Sequence, residues 1–109
     1  MFGRRQKHDT ERRMADFHLT SRAKSDLAKI ADYTIETFGI KQARRYCDAL
    51  ETCFQTIADN PKLGRSADQL APKLRRYEHQ SHVVFYLPEG QDALIVRVLH
   101  VSRDFEQQL

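Results

Sequence analysis

The 109-residue sequence has no tryptophan, only two cysteines, and no long uninterrupted run of apolar side chains. A membrane-spanning helix needs about 20 consecutive apolar residues, so none is predicted. Residues 1–13 are polar and lack the apolar segment of a secretory signal, and we therefore expect a cytoplasmic protein. Cys47 and Cys53 fall on different sides of one predicted helix, which predicts two reduced thiols and no disulfide between them.

An excess of one charge is also missing once the sequence is divided by position. The formal net charge is +3, from 18 Lys and Arg against 15 Asp and Glu. Residues 1–13 hold five of the basic and two of the acidic side chains, so residues 14–109 carry 13 of each. We expect residues 1–13 to be a basic, disordered leader and residues 14–109 a single domain. A charge-balanced domain argues against direct nucleic-acid binding.

Apolar side chains recur at intervals of three and four in two consecutive segments, residues 23–38 and 43–58. This period predicts two amphipathic helices, the first capped by Thr20 or Ser21. Gly39 separates them, and the short connection predicts an antiparallel helical hairpin.

The apolar period changes to two in the second half of the sequence, after a loop predicted over residues 61–72. Three strands are predicted there at residues 74–79, 82–87 and 93–100, with turns at 80–81 and 88–91. A short strand at residues 16–20 precedes the helices and is expected to pair at an edge or beside the last strand. The nearly continuous apolar character of residues 93–99 predicts a strand covered on both faces. This order indicates an α+β domain with a helical hairpin against a small antiparallel meander.

Arg97 interrupts the last predicted strand, where simple alternation places it on one face with Ile95 and Leu99. A charge there must be paired or must open onto a groove. The sequence favours an ion pair with a carboxylate such as Asp104 or Glu78, with contact to an anion or a partner as the alternative.

His100 ends the same strand, on the opposite face by alternation, and Asp104 follows four residues later. A His–Asp pair can hold an imidazole in one tautomer, as general-base sites require, but a satisfied histidine at a strand end is the more common case. The five histidines show no ligand spacing, so neither a metal nor a cofactor is predicted.

Residues 60–82 are locally basic, with five Lys and Arg against two acidic side chains, and Tyr77, His79 and His82 are interleaved with them. Such a region could contact phosphates or an acidic protein, or its charges could protect an edge strand from pairing. Tyr33, Tyr46 and Phe54 lie at helical spacing and are predicted to belong to the core.

An ordered series of short motifs resembles the RelE/ParE toxin superfamily, and most of all its ParE branch. The series covers about residues 16–106 and comprises Phe17-His18-Leu19-Thr20, Ala23, Asp26-Leu27, Ile30, Tyr33, Phe38-Gly39, Gln42-Ala43, Tyr46, Leu50, Asn60-Pro61, Leu63-Gly64-Arg65, Leu74-Arg75-Arg76-Tyr77, residues 79–86, residues 95–100 and Asp104.

The resemblance implies a helical hairpin packed on a small antiparallel sheet, and the toxin of a type II toxin–antitoxin system of the plasmid-stabilisation kind. It also implies a ParD-like antitoxin that wraps the toxin, and DNA gyrase as the target, so that the protein acts as an inhibitor and not as an enzyme. We expect the partner or target to contact the polar residues of the second half: Arg65, Lys73, Arg75, Arg76, Tyr77, Arg97, His100 and Asp104.

The alternative within the superfamily is a ribosome-dependent mRNA endoribonuclease of the RelE/YoeB type. Its chemistry would require Arg97 to hold a phosphate, His100 to act as acid or base, and Glu78 to act as base on the same face as Arg97. Position 101 is Val where that pattern has an aromatic residue, and no Tyr follows Tyr86. The nuclease interpretation is therefore the second choice.

Overall fold

The computed structural model describes residues 15–102 and 105–109. Residues 1–14, which include the predicted leader, and residues 103–104, which include the candidate Asp104, lie outside the described residues. The elements follow in the order β1 Phe17–Leu19, α1 Ser21–Phe38, α2 Ile40–Asp59, β2 Arg65–Ser66, β3 Arg75–His79, β4 His82–Glu89, β5 Asp92–His100 and α3 Phe105–Gln108.

The helical hairpin begins and turns at the two residues that the sequence marks for those roles. The Thr20 hydroxyl accepts a hydrogen bond from the Ala23 backbone N–H at 3.0 Å and so caps α1. It also donates to the Val96 carbonyl at 2.8 Å, which ties the start of α1 to β5. Gly39 alone separates α1 from α2, with φ at 96°, a conformation that glycine adopts without a Cβ clash. The predicted hairpin is confirmed.

The sheet has the strand order β1-β5-β4-β3-β2, in which β1 pairs with β5 in parallel and the other neighbours are antiparallel. The predicted meander is confirmed, and β1 lies both at an edge and beside the last strand. Two details differ. Residues 65–66 form a short strand inside the predicted loop. The sequence does not predict this strand because two residues are too few to show a period. Pro88 and Glu89 continue β4, so only Gly90 and Gln91 form the turn.

Both faces of the sheet are covered. The main core lies between the helices and one face, and is built around Leu50, Phe54 and Ile57 of α2 with Ile95 and Val98 of β5. A second cluster covers the other face, where residues 67–74 and α3 pack on the sheet residues Val83, Phe85 and Leu99. The expectation that the last strand is covered on both faces is confirmed.

One β-bulge interrupts the pairing of β4 with β5. Phe85 pairs with Arg97 and Tyr86 with Ile95, so Val96 is an extra residue on β5 without a partner on β4. A bulge shifts the alternation of side chains on the strand that carries it.

The bulge changes the face on which the later residues of β5 lie. Ile95 and Val98 both belong to the main core, whereas Leu99 belongs to the second cluster. The prediction that Arg97 shares one face with Ile95 and Leu99 is therefore wrong, because simple alternation assumes an uninterrupted strand.

Candidate functional site

Arg97 forms a buried, two-pronged ion pair with Asp26 of α1. Its Nε donates to Asp26 Oδ2 at 2.8 Å and its Nη2 donates to Oδ1 at 2.9 Å. The side chains are 9% and 7% exposed, respectively. These hydrogen bonds to Asp26 raise the pKa of the Arg97 guanidinium. The expected ion pair therefore exists, but Asp26 supplies the carboxylate where Asp104 or Glu78 was expected.

The position of Asp26 follows from the short β1 strand. β1 ends at Leu19, opposite Ile95, so the edge of β5 is open beyond that point. The Asp26 carboxylate closes it, because Oδ2 also accepts the Val98 backbone N–H at 2.9 Å. The third guanidinium nitrogen of Arg97 donates to the Gln108 carbonyl. Every guanidinium nitrogen thus has a protein acceptor, and Arg97 holds structural elements together.

Glu78 lies on β3 and binds two other arginines. Its Oε2 is 3.2 Å from Arg65 and 3.2 Å from Arg76. The Arg76 guanidinium in turn lies over the rings of Phe85 and Phe105, 5.8 and 5.2 Å from their centroids. The described contacts therefore do not bring Glu78 to Arg97, as the nuclease interpretation requires.

The remaining members of the basic region have different surroundings. Arg65 and Lys73 are exposed. Arg75 donates from Nε to the Gly64 carbonyl at 2.9 Å and so clamps the segment before β2. Tyr77 packs against the main core.

An open cleft with a cavity volume of about 830 Å³ lies between the helical hairpin and one end of the sheet. Lys29, Ile30, Tyr33, Thr34 and Phe38 line it from α1, and Gln42 and Tyr46 line it from α2. The sheet side is formed by residues of the β3–β4 turn, by His82, and by residues 97–100 of β5.

Two aromatic side chains of the cleft are largely in solvent. Tyr33 and Phe38 are each 65% exposed. Phe54 is fully buried and Tyr46 packs on the core, as predicted, but the prediction that Tyr33 is a core residue is wrong. Helical spacing predicts which residues share a face of a helix, but not what that face contacts. Around Tyr33, α1 borders the cleft instead of packing on a strand. The exposure of Tyr33 leaves no separate signal in the sequence.

Three histidines lie side by side across neighbouring strands at the sheet end of the cleft. The backbone register places His79 opposite His82, and His82 opposite His100. The rings of His82 and His100 meet edge to face with centroids 5.5 Å apart. Tyr46 of α2 lies against the row, and its hydroxyl is 2.6 Å from His82 Nδ1. We call His79, His82 and His100 the histidine row.

Burial determines the protonation of two members of the row. It lowers the pKa of His82 to about 4, with smaller contributions from the neighbouring His100 and His79. Burial also lowers the pKa of His79. His82 is therefore neutral near pH 7.

His100 lies at the end of β5, and both His100 and Arg97 line the cleft. Both residues follow the bulge at Val96, and the register pairs Arg97 with Phe85 and His100 with His82, so their backbone positions still alternate between the two faces. In the described residues, the Nδ1 atom of His100 is hydrogen-bonded to Ser102. The predicted pairing with Asp104 falls outside those residues.

No group of three or more His, Cys, Asp or Glu side chains in the described part of the chain is arranged to hold a metal ion. None of the described helices is both long and apolar enough to cross a membrane. Cys47 and Cys53 are free thiols, and burial raises the pKa of Cys53 to about 11.

Comparisons with known proteins agree with this architecture. Residues 17–105 match the family described as the ParE toxin of the type II toxin-antitoxin system, parDE. Toxin ParE1 of Caulobacter vibrioides is 36% identical over 96 residues, which are 88% of this chain and 99% of the relative. Toxin ParE1 of Mycobacterium tuberculosis is 34% identical over 92 residues, 84% and 94% of the two chains.

A relative from a third organism and one solved structure extend the comparison. Toxin ParE of Escherichia coli is 35% identical over 97 residues, 88% of this chain and 94% of the relative. A solved structure titled "Chromosomal ParDE TA system from P. aeruginosa" has a TM-score of 0.68 and 19% identity, covers 82% of this chain and 98% of its own, and supports the fold alone. The chain belongs to the ParE toxin family of type II toxin–antitoxin systems, and the resemblance seen in the sequence is confirmed.

Proposed function

We propose that this ParE toxin acts by binding DNA gyrase, and that a ParD-like antitoxin neutralises it by occupying the cleft. One observation carries the choice of a protein inhibitor over a nuclease. Arg97, the residue expected to hold a phosphate, gives every guanidinium nitrogen to Asp26 or to the Gln108 carbonyl. Glu78, the expected base, binds Arg65 and Arg76 instead.

The cleft has the features of a surface that receives an amphipathic protein segment. Tyr33 and Phe38 are large apolar side chains left mostly in solvent, and aromatic side chains are typical anchors of protein interfaces. The other walls of the cleft carry the polar groups of Tyr46 on α2, His82 on β4 and His100 on β5. An antitoxin segment with apolar residues toward α1 and polar residues toward the sheet would match both the aromatic and the polar walls.

The gyrase-binding surface is proposed to be the exposed basic edge formed by Arg65 and Lys73. These side chains lie at β2 and just before β3, on elements that do not line the cleft. The antitoxin would then bind a different surface from the target. The place of action would be the cytoplasm, where gyrase works, and the two free thiols agree with a reducing compartment.

Controlled expression of residues 1–109 tests the proposal. Induction should arrest growth with filamentation and a DNA-damage response, and co-expression of the antitoxin encoded beside the gene should restore growth. Expression of residues 14–109 should give the same arrest, since the 13 residues before them show no apolar pattern. Cleavage of mRNA on translating ribosomes, with no DNA damage, would instead establish the endoribonuclease.

A further inference from the structure

The histidine row has a defined direction of hydrogen bonding, beginning with His100. The Ser102 backbone N–H donates to His100 Nδ1 at 3.1 Å. A backbone N–H can only donate, so Nδ1 must carry a lone pair. The proton of neutral His100 therefore lies on Nε2.

His82 reaches the same tautomer through a different partner. Its Nδ1 is 2.6 Å from the Tyr46 hydroxyl. We assign the hydroxyl as donor, because a neutral imidazole nitrogen is a stronger acceptor than a phenol oxygen. Burial keeps His82 neutral, so its remaining proton also lies on Nε2.

His82 and His100 thus each offer an Nε2–H donor, on neighbouring rings whose centroids lie 5.5 Å apart. Both residues line the cleft, and their described side-chain hydrogen bonds involve Nδ1. A metal ion would need unprotonated nitrogen atoms, so this tautomer disfavours a metal. Donors on two neighbouring rings instead match a group with two acceptor oxygen atoms.

The charges around the cleft favour an anionic group. Lys29 of α1 lines the cleft, whereas the charge of Arg97 is compensated by Asp26. The apolar wall of Ile30, Tyr33 and Phe38 fits a protein segment better than a nucleic-acid backbone. The anionic group that such a segment carries is a side-chain carboxylate.

We propose that His82 and His100 form a carboxylate-binding subsite, in which their two Nε2–H groups receive the oxygen atoms of an Asp or Glu side chain of the bound antitoxin segment. The subsite rests on the proposed neutralisation in the cleft. Tyr46 and Ser102 are positioning residues, since they hold the imidazoles in the donor tautomer.

NMR of the full-length protein tests the subsite with sodium acetate as the probe. The Nε2 signals of His82 and His100 are followed at pH 7.5 while acetate replaces chloride at constant ionic strength. We expect a saturable shift of both signals. The H100Q variant, whose amide N–H lies near the position of Nε2, should retain the shift of His82, and H100L should lose at least four-fifths of it. H18L is the matched control, because His18 lies on β1 outside the cleft, and it should respond as the wild type does.

Two results would overturn the subsite. One is a linear response to acetate, or an equal response in H100L. The other is saturation by inorganic phosphate at a lower concentration than acetate, which would indicate a nucleic-acid phosphate site. The titration uses the isolated protein and no antitoxin, so its outcome is separate from that of the growth assay.

Discussion

Asp26 and Arg97 are 71 positions apart in the sequence, yet they form a buried ion pair joined by two hydrogen bonds. The same carboxylate accepts the Val98 backbone N–H and closes the open edge of β5. One acidic side chain of α1 thus compensates a charge and completes a strand.

The first prediction concerns this pair. R97M leaves the Asp26 charge buried and unpaired, and should lower the free energy of unfolding by about 3–5 kcal/mol. The double variant D26N/R97M should recover about 1–2 kcal/mol of that loss, because Asn removes the charge and keeps an oxygen for Val98. Urea denaturation followed by circular dichroism measures both. Additive losses in the double variant would mean that the pair is not coupled.

A second prediction follows from the low pKa of His82. The folded pKa, about 4, lies below the usual value of 6.5, so protons bind the unfolded chain more readily. Stability from this group is complete above pH 6.5, falls as the pH drops toward 4, and changes no further below that. The titratable groups next to His82 are His79, which is its register partner on β3, His100 and Tyr46.

The wild type should lose about 1–3 kcal/mol of stability between pH 6.5 and pH 4.5 through His82. H82Q removes the titrating group, so its stability should fall by less over the same interval. Urea denaturation at several pH values gives the comparison, and other acidic groups contribute equally to both proteins. Parallel stability curves for the two proteins would show that His82 is not coupled to folding.

The third prediction tests the aromatic wall of the cleft. Y33S should change the free energy of unfolding by less than about 1 kcal/mol, because the ring is 65% exposed. It should weaken antitoxin binding at least about tenfold, since an aromatic anchor is removed. L63S is the control, because Leu63 is also exposed, at 44%, but does not line the cleft. Calorimetric titration with the purified antitoxin measures the affinity of Y33S and of L63S, and urea denaturation measures their stability. Equal affinities of the two variants would show that the antitoxin does not bind this surface.

A fourth prediction concerns the segment before β2. A Cβ on Gly64 would lie 2.5 Å from the Arg76 carbonyl oxygen and 2.8 Å from the Tyr86 hydroxyl. That hydroxyl accepts the Gly64 N–H and donates to the Pro61 carbonyl. G64A should therefore destabilise the fold by about 1–3 kcal/mol, and Y86F by about 1–2 kcal/mol through the lost hydrogen bonds. A thermal midpoint unchanged in both variants would refute this packing.

Much of the fold could be predicted because its signals are local. The Thr20 cap, the Gly39 break and the change of period after the loop at residues 61–72 each act within a few positions of the chain. Strand pairing beyond the meander is not local. A two-residue strand such as β2 is defined only by its partner, and the bulge at Val96 only by the register of β4.

The candidate site was less predictable for the same reason. Asp26 occupies a position on the apolar stripe of α1, three residues after Ala23 and four before Ile30. A carboxylate on the buried face of a helix needs a partner, so the position of Asp26 could have identified it as the partner of Arg97. The histidine row required the register of three strands, and spacing in the sequence does not contain that register.

Inhibition of gyrase is tested most directly by a supercoiling assay with purified DNA gyrase and the full-length toxin. We expect supercoiling to be inhibited and cleaved DNA complexes to accumulate as toxin is added. Equimolar ParD-like antitoxin should restore activity, and the charge-reversed variant R65E/K73E should inhibit at least about tenfold less. Unchanged gyrase activity at saturating toxin, with antitoxin binding intact, would contradict the proposed inhibition.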